Sequence, residues 1–474
     1  MVSILAALAL PLSLHAQITF QRTYGGTADD GAQAVVQNEA GGYYVVGYTF
    51  SSGAGGADVS VTATDEYGTE QWSQLFGGQQ DDYGFGVATT NGDGCLAAGY
   101  LVSMTQAEVA LHANLADGGQ HWIHVYGGTS NDMAYSVSRN SDDGFIVAGV
   151  TYSFGSGRPN AYVLRTDSVG DTLWTRTYGG ANEDYAFAVQ QSADSGFIIC
   201  GTTYSYGAGQ SDIYLIKTNA AGDTEWTRTY GGAEPEHGHS VQQTSDQGYV
   251  ICGTTYSFGS GDADIWVVRT NANGDTLWTR TFGGDTADLG HCVAQTSDGG
   301  FIVCGQTASF GTGNYDAWLI RTDSSGDTLW ARTSGGGDDD RAYSVRPTAD
   351  GGFIVAGVTR SFGTGGSDAW LIKTDADGHV AIEEPKASAT RPPAPAITCR
   401  PNPCRGTTTV SFAPQASTSP LTLRIYDIRG RVVLTRQVST SSFLLSTSEL
   451  PSGAYFVRCD IARERFTTRL ILQR

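Results

Sequence analysis

The sequence predicts an all-β fold built from repeats, and three observations carry that expectation. Glycine, at 63 of 474 residues, is about twice its usual share, while charged residues make up only 16%. A Gly-Gly doublet recurs at Gly25, Gly77, Gly127, Gly179, Gly231, Gly283 and Gly335, every 52 residues apart from one interval of 50. Between doublets, short apolar and β-branched runs are bounded by Gly, Asn, Asp and Ser, the punctuation of antiparallel strands and tight turns. An aromatic content of 11% excludes disorder, and so much glycine with so little charge excludes a coiled coil.

The formal net charge of -20 is unevenly divided. Residues 17–385 carry 15 basic and 44 acidic side chains, whereas residues 386–474 carry 13 and 4. Two domains follow from this split, and the acidic one repels phosphate backbones, so nucleic acid is not an expected partner.

Taken in order, residues 1–16 read as a signal peptide: an apolar run from Ile4 to Leu14 leads to the small-residue cleavage site Leu14-His15-Ala16 before Gln17. No Lys or Arg precedes that run, which points to a start codon upstream. The run is too short to span a bilayer and no other stretch approaches about 18 apolar residues, so no transmembrane segment is expected.

Residues 17–382 hold the repeats. Each runs from the doublet through an acidic residue to a short strand such as Ala342–Val345, a second such as Gly352–Gly357, a glycine-rich loop such as Ser361–Gly365, a third strand such as Asp368–Lys373, a D-x-x-G turn and a fourth strand of the Thr328–Arg332 type. Gly-Phe-Ile-Val runs are apolar on both faces, so each four-stranded sheet must be covered on both sides, and radial packing provides that cover. A period near 50 with four strands marks the blade of a β-propeller. Trp72, Trp122, Trp174, Trp226, Trp278 and Trp330 each stand five residues before a doublet and mark six outer strands; the seventh repeat lacks one, and Phe20 holds that place ahead of the first doublet. The expectation is a seven-bladed propeller whose N-terminal strand, Thr19–Tyr24, completes the last blade beside Ala369–Lys373. Closure leaves no open edge, so a monomer is expected. The layout resembles WD-type and kelch-type propellers, although the order of Gly-Gly, Tyr and Trp differs from kelch and no binding residues are carried over.

Residues 383–397 change to Pro, Ala and charge, an extended linker. Residues 398–474 then show Pro401-Asn402-Pro403, a Tyr426-Asp427-x-x-Gly430-Arg431 turn, a Leu450-Pro451-x-Gly453-x-Tyr455-x-x-Arg458 strand and the basic last residue Arg474. Alternating strands joined by turns predict a small β-sandwich. In order and identity these motifs resemble the type A C-terminal sorting domain of cargo of the type IX secretion system, over nearly the whole domain. The resemblance implies that Asn402, Asp427, Gly430, Gly453 and Tyr455 form the sorting motif. It also implies that the Sec translocon and then the type IX machinery are partners, and that the protein ends outside a Gram-negative bacterium or on its outer-membrane surface. Cys399, Cys404 and Cys459 depart from the pattern.

Candidate site residues fall in two sets. Asp30, Asp82, Asp132, Asp184, Glu236, Asp288 and Asp340 each stand five residues after the first doublet glycine. Seven copies around an axis could collect cations at one mouth of a channel, but recurrence in every repeat is what a turn requires, and backbone amides are the expected partners. His237, His239 and His291 form the asymmetric set. His239 and His291 occupy a place held elsewhere by Gln33, Phe85, Tyr135, Phe187 and Tyr343 on the innermost strands. With Cys292 alongside, zinc or copper is one reading; packing between blades is the expected one, with no metal and no other cofactor. Cys200, Cys252 and Cys304 replace Ala148 and Ala356 and read as small buried hydrophobes. Cys292 and Cys304 lie on adjacent strands, where a bridge is an open alternative. The function expected is non-catalytic binding of an extracellular protein or glycan, with His237, His239, His291, Tyr135, Phe187 and Tyr343 as candidate contacts. The alternative is a secreted carbohydrate-active enzyme with a carboxylate pair at the channel mouth.

Overall fold

A computed structural model describes residues 17–103, 106–380, 397–400, 404–405, 407–412, 421–427, 431–438, 442–447, 450–461 and 464–472. The signal peptide read at residues 1–16 and residues 383–396 of the linker read at 383–397 lie outside them. The chain divides into two compact units, residues 1–383 and 384–474. Among the described residues every helix or strand is a strand.

The first unit contains, among its described residues, seven four-stranded antiparallel sheets. The first sheet runs Asp30–Gln37, Tyr43–Thr49, Asp58–Thr64 and Glu70–Phe76 in chain order, and five more repeat that order from Tyr83, Asp132, Asp184, Glu236 and Asp288. The seventh takes Asp340–Pro347, Phe353–Thr359 and Asp368–Thr374 from one end of the unit and its fourth strand, Phe20–Tyr24, from the other. That strand lies antiparallel to Asp368–Thr374, with Phe20 opposite Lys373 and Tyr24 opposite Ala369.

The opening strand of each sheet packs on the second strand of the sheet before it, and the opening strand of the first packs on Phe353–Thr359 of the seventh. Covered on both faces, the middle strands of the third to seventh sheets are buried throughout, as in Phe145–Thr151 and Asn160–Thr166. The fourth strands form the outer edge of each sheet, and the expectation from the sequence that the Trp rings there are buried needs correction. The six indoles are only half-buried, because an edge strand keeps one side toward solvent. Each lies on the turn glycine of the next sheet. A Cβ added to Gly118, Gly170, Gly222, Gly274, Gly326 or Gly378 would come within 2.6–2.9 Å of Trp72, Trp122, Trp174, Trp226, Trp278 or Trp330 respectively. These glycines have φ between 77° and 91°, a region that penalises any side chain. Phe20 covers Gly68 in the same way and is 2% exposed. Tyr24 donates from its hydroxyl to the Gly68 carbonyl at 2.6 Å, a bond repeated by Tyr126, Tyr178 and Tyr230 on the later turn glycines.

In the second unit a three-stranded sheet (Ile397–Arg400, Thr407–Phe412, Ser442–Ser446) and a four-stranded sheet (Val432–Val438, Leu421–Asp427, Gly453–Ile461, Glu464–Leu472) share one apolar core. Val410 and Leu445 enter it from one sheet and Leu423, Ile425, Tyr455, Val457 and Leu470 from the other.

Removing residues 17–24 strips the covering strand from Asp368–Thr374 and should make the protein self-associate, as an open strand edge invites. Phe20→Ala should lower stability by about 3–5 kcal/mol in equilibrium unfolding, the usual cost of deleting a buried aromatic. An unchanged midpoint and an unchanged monomer for both variants would show that this strand does not clasp the unit.

Candidate functional site

Every repeat opens on a buried carboxylate. Asp30, Asp82, Asp132, Asp184, Glu236, Asp288 and Asp340 are at most 1% exposed. One oxygen of each accepts the amide of the second doublet glycine, from Gly26 to Gly336, at 2.6–2.8 Å. Hydroxyls from beyond the second strand join the same oxygen: Ser51, Ser153, Ser205, Ser309 and Ser361 donate at 2.6–2.7 Å. Thr49, Thr203 and Thr359 donate to the other oxygen of Asp30, Asp184 and Asp340. In the second sheet, where the loop differs, the Val102 amide serves Asp82 at 2.6 Å. The carboxylate residue's own amide reaches the preceding sheet, Asp82 N to Ala57 O at 2.7 Å and Asp30 N to Ser367 O at 2.6 Å. This geometry supports a turn anchor.

A second acidic row, not singled out from the sequence, begins the third strands: Asp58, Asp212, Asp264, Asp316 and Asp368. It meets the first row across the first doublet glycine, where a Cβ on Gly77 would stand 2.3 Å from Asp58 and 2.6 Å from Asp82. Burial, joined by repulsion from the facing carboxylate, pushes Asp82, Asp212, Asp264 and Asp368 above the ordinary carboxylate range. Recurrence of this Asp in five of seven repeats is the signal that would have found the row.

The opening strand of every sheet carries a β-bulge, with register slips such as Ala32/Ala34, Gly84/Gly86 and Gly290/Cys292. The extra residues are Gln33, Phe85, Tyr135, Phe187, His239, His291 and Tyr343. A bulge re-aims its side chain, and six of the seven meet in sequence. Ring centroids are 5.4 Å apart for Phe85–Tyr135, 5.1 Å for Tyr135–Phe187, 5.7 Å for Phe187–His239, 5.5 Å for His239–His291 and 5.0 Å for His291–Tyr343. His237 stands 6.5 Å from His239 and edge-on to Tyr256 at 6.2 Å. His239 Nδ1 lies 2.7 Å from the Gly290 carbonyl oxygen. Burial pushes His239 down to about 4 and His291 to about 3, so both rings are neutral near pH 7.

Outward from this lining, Tyr152, Tyr204 and Tyr256 are 46%, 41% and 45% exposed in three consecutive sheets. Each sits between the Thr and Ser that flank a carboxylate anchor, so the three share the face that bears the doublets. Phe154, Tyr206 and Phe258 follow two residues later, also exposed. The repeated Thr-Tyr-Ser-aromatic-Gly pattern of these loops announces the cluster in the sequence. Further along the opening strands a cavity of about 360 Å³ is lined by all seven sheets, with Val36, Val87, Val137, Val189, Val241, Ala294 and Arg346 among its residues. Cys200, Cys252, Cys292 and Cys304 are buried free thiols, and Cys292 stands opposite Cys304 in register.

In the second unit the Tyr455 ring is buried and its hydroxyl donates to the Pro451 carbonyl at 2.8 Å. Asp427 accepts the Arg431 amide at 3.0 Å and its Nε at 2.8 Å, which fixes the turn. Gly453 opens its strand, while Asn402 and Gly430 lie outside the described residues.

Residues 400–473 match the secretion system C-terminal sorting domain family, the sorting tail of type IX secretion, which marks a secreted or cell-surface protein of Bacteroidetes-type bacteria. A stretch of 174 residues is 27% identical to the regulatory protein FlaEY of Caulobacter vibrioides, covering 31% of this chain and only 18% of that protein. Among solved structures the chain is similar to PorZ, a bacterial surface component of the type-IX secretion system of Porphyromonas gingivalis, at 12% identity and a TM-score of 0.46, over 98% of this chain and 61% of that one. It is also similar to the polysaccharide lyase Uly1 at 10% identity and a TM-score of 0.48, over 78% of this chain and 94% of that one. Among the described residues no helix is long and apolar enough to cross a membrane.

The histidines give a pH test. An unfolded histidine takes up its proton near 6.5, whereas His239 and His291 resist it to about 4 and about 3, so their contribution is complete above pH 6.5 and is lost as the pH falls below it. Between pH 7.5 and 5 each ring should cost roughly 1–2 kcal/mol of stability. His239→Phe with His291→Tyr, which copy the neighbouring sheets, should flatten that loss in melting curves; a loss of the same size in the variant places the acid lability elsewhere.

Proposed function

We propose that residues 17–382 form one seven-bladed β-propeller closed by the N-terminal strand, carried as a monomer behind a signal peptide at 1–16 and ahead of a linker at 383–397 and a type A sorting domain at 398–474. On this reading the Sec translocon and then the type IX machinery export the protein, and outside the cell it binds an extracellular ligand on the face that carries the doublets. The cavity lined by all seven opening strands supports the radial arrangement. The observation that carries the binding role is the run of rings through the bulge residues, which reaches the exposed Tyr256 by way of His237, with Tyr152 and Tyr204 exposed at the same loop position of the two sheets before it. Rings offered to solvent on one face are rarely idle, since aromatic side chains dominate contact energies. The opening carboxylates are buried and each is tied to a doublet amide, which favours binding over a carbohydrate-active enzyme, since that would need two of them open to a substrate.

Arrays of extracellular glycans and surface proteins probed with the mature chain should yield a ligand whose affinity falls on the order of 100-fold in the Tyr152→Ala/Tyr204→Ala/Tyr256→Ala variant. Affinity unchanged by the triple substitution would move the site off this face. Deleting residues 398–474 should leave a folded protein in the periplasm, measured by cell fractionation; normal amounts in the medium or on the surface would refute export through the sorting tail.

A further inference from the structure

Five sheets place a large ring at one position of the third strand. Tyr162, Tyr214, Trp266, Trp318 and Trp370 stand opposite Gly149, Gly201, Gly253, Gly305 and Gly357. All are at most 7% exposed and pack on the preceding sheet, as Trp370 does on Ala317 and Leu319. In the first sheet the glycine is kept, as Gly47, but the residue opposite is Ser60. Two residues on, where the other five have Leu164, Ile216, Val268, Ile320 and Ile372, stands Thr62. Large apolar groups have been replaced by small hydroxyls at the seam with the seventh sheet, and a cavity of about 330 Å³ lies there. That volume falls at the lower end of small-molecule sites.

Its walls include Ser51, Ser60, Thr62, Ser73, Glu70 and Tyr48, with Tyr24 and Ala369 from the seventh sheet. Hydroxyls that both donate and accept, a carboxylate that accepts, and tyrosine faces match the hydroxyls and C–H face of a sugar ring. No Lys, Arg or His is among the lining residues, so an anionic sugar would meet Glu70 without a countercharge. Tyr48 joins the cavity to the aromatic mouth, its ring 5.0 Å from Tyr83 and 6.1 Å from Phe50. We propose that the cavity between the first and seventh sheets seats one neutral pyranose unit of a glycan held on the doublet face. The inference rests on the ligand-binding reading above and names its ligand class.

Ser60→Trp restores the residue of the later sheets and fills the cavity. The test measures binding of neutral gluco-, manno-, galacto- and N-acetylglucosamine oligosaccharides, with an oligogalacturonate as the anionic probe, to the full mature chain by calorimetry and saturation-transfer NMR. At least one neutral probe should bind and the oligogalacturonate should not. Ser60→Trp should weaken binding at least 100-fold while its melting temperature holds or rises. Thr62→Leu, a smaller filling, should weaken it at least tenfold and serves if the tryptophan variant does not fold. Failure of every neutral probe to bind the native chain overturns the inference, as does binding that survives both substitutions. Binding that survives both fillings but is lost in the Tyr152/Tyr204/Tyr256 variant removes the seam cavity and leaves the face reading intact. Binding of protein ligands alone removes the glycan and also leaves that reading intact.

Discussion

The caged carboxylate at the start of each repeat is the interaction on which the rest of the first unit depends. A carboxylate buried without donors would be strongly unfavourable, so each one imposes its partners on the sequence around it. One oxygen takes the amide of the second doublet glycine, and the Thr and Ser at the end of the second strand donate from the other side. The doublet itself follows from this. A Cβ on Gly25 would lie 2.4 Å from the Asp30 carboxylate, and one on Gly26 would lie 2.7 Å from Ser51 Cβ. The same residue's amide bonds to the loop ahead of the previous sheet's third strand, so one side chain fixes a turn, a loop and the spacing between sheets.

That role gives the acidic composition a different meaning from a field for collecting cations. Much of the negative charge of residues 17–385 is bound up in turns, as first-row carboxylates caged by hydroxyls and second-row ones such as Asp58 and Asp264 that accept loop amides at 2.8 and 2.7 Å. Where the two rows meet, burial and mutual repulsion raise the affinity for protons. Asp298 shows the opposite case: the Thr296 hydroxyl first, then the Gly300 amide and Arg321, hold it below the ordinary range against the effect of burial.

The bulge turns this uniform scaffold into an asymmetric surface. Backbone geometry repeats from sheet to sheet, so the residue at each bulge is free to vary, and Gln33, two Phe or Tyr pairs and two His arise at one structural place. Loop tyrosines extend the lining in the third to fifth sheets, and loss of a ring at Ser60 opens the seam between the first and seventh. Binding specificity in such a unit comes from where repeats differ, while stability comes from where they agree.

The sequence by itself determined what depends on local chemistry and period. Doublet spacing marks the repeats, four turn-bounded runs mark the strands, and Phe20 on the Trp position makes the pairing of residues 20–24 with 369–373 legible across the whole unit. Equivalence of His239 and His291 with Phe187 and Tyr343 could also be read by counting. Tertiary structure decided the rest. Strand alternation says which side a residue takes but not that a one-residue slip turns Gln33 and its equivalents together, because the slip is defined only against the partner strand. The half-exposure of the outer indoles required knowing that their strand is an edge. The cavity at Ser60 is space bounded by Tyr24 and Ala369 on one side and Ser73 on the other, and no local pattern encodes a volume whose walls come from opposite ends of the first unit.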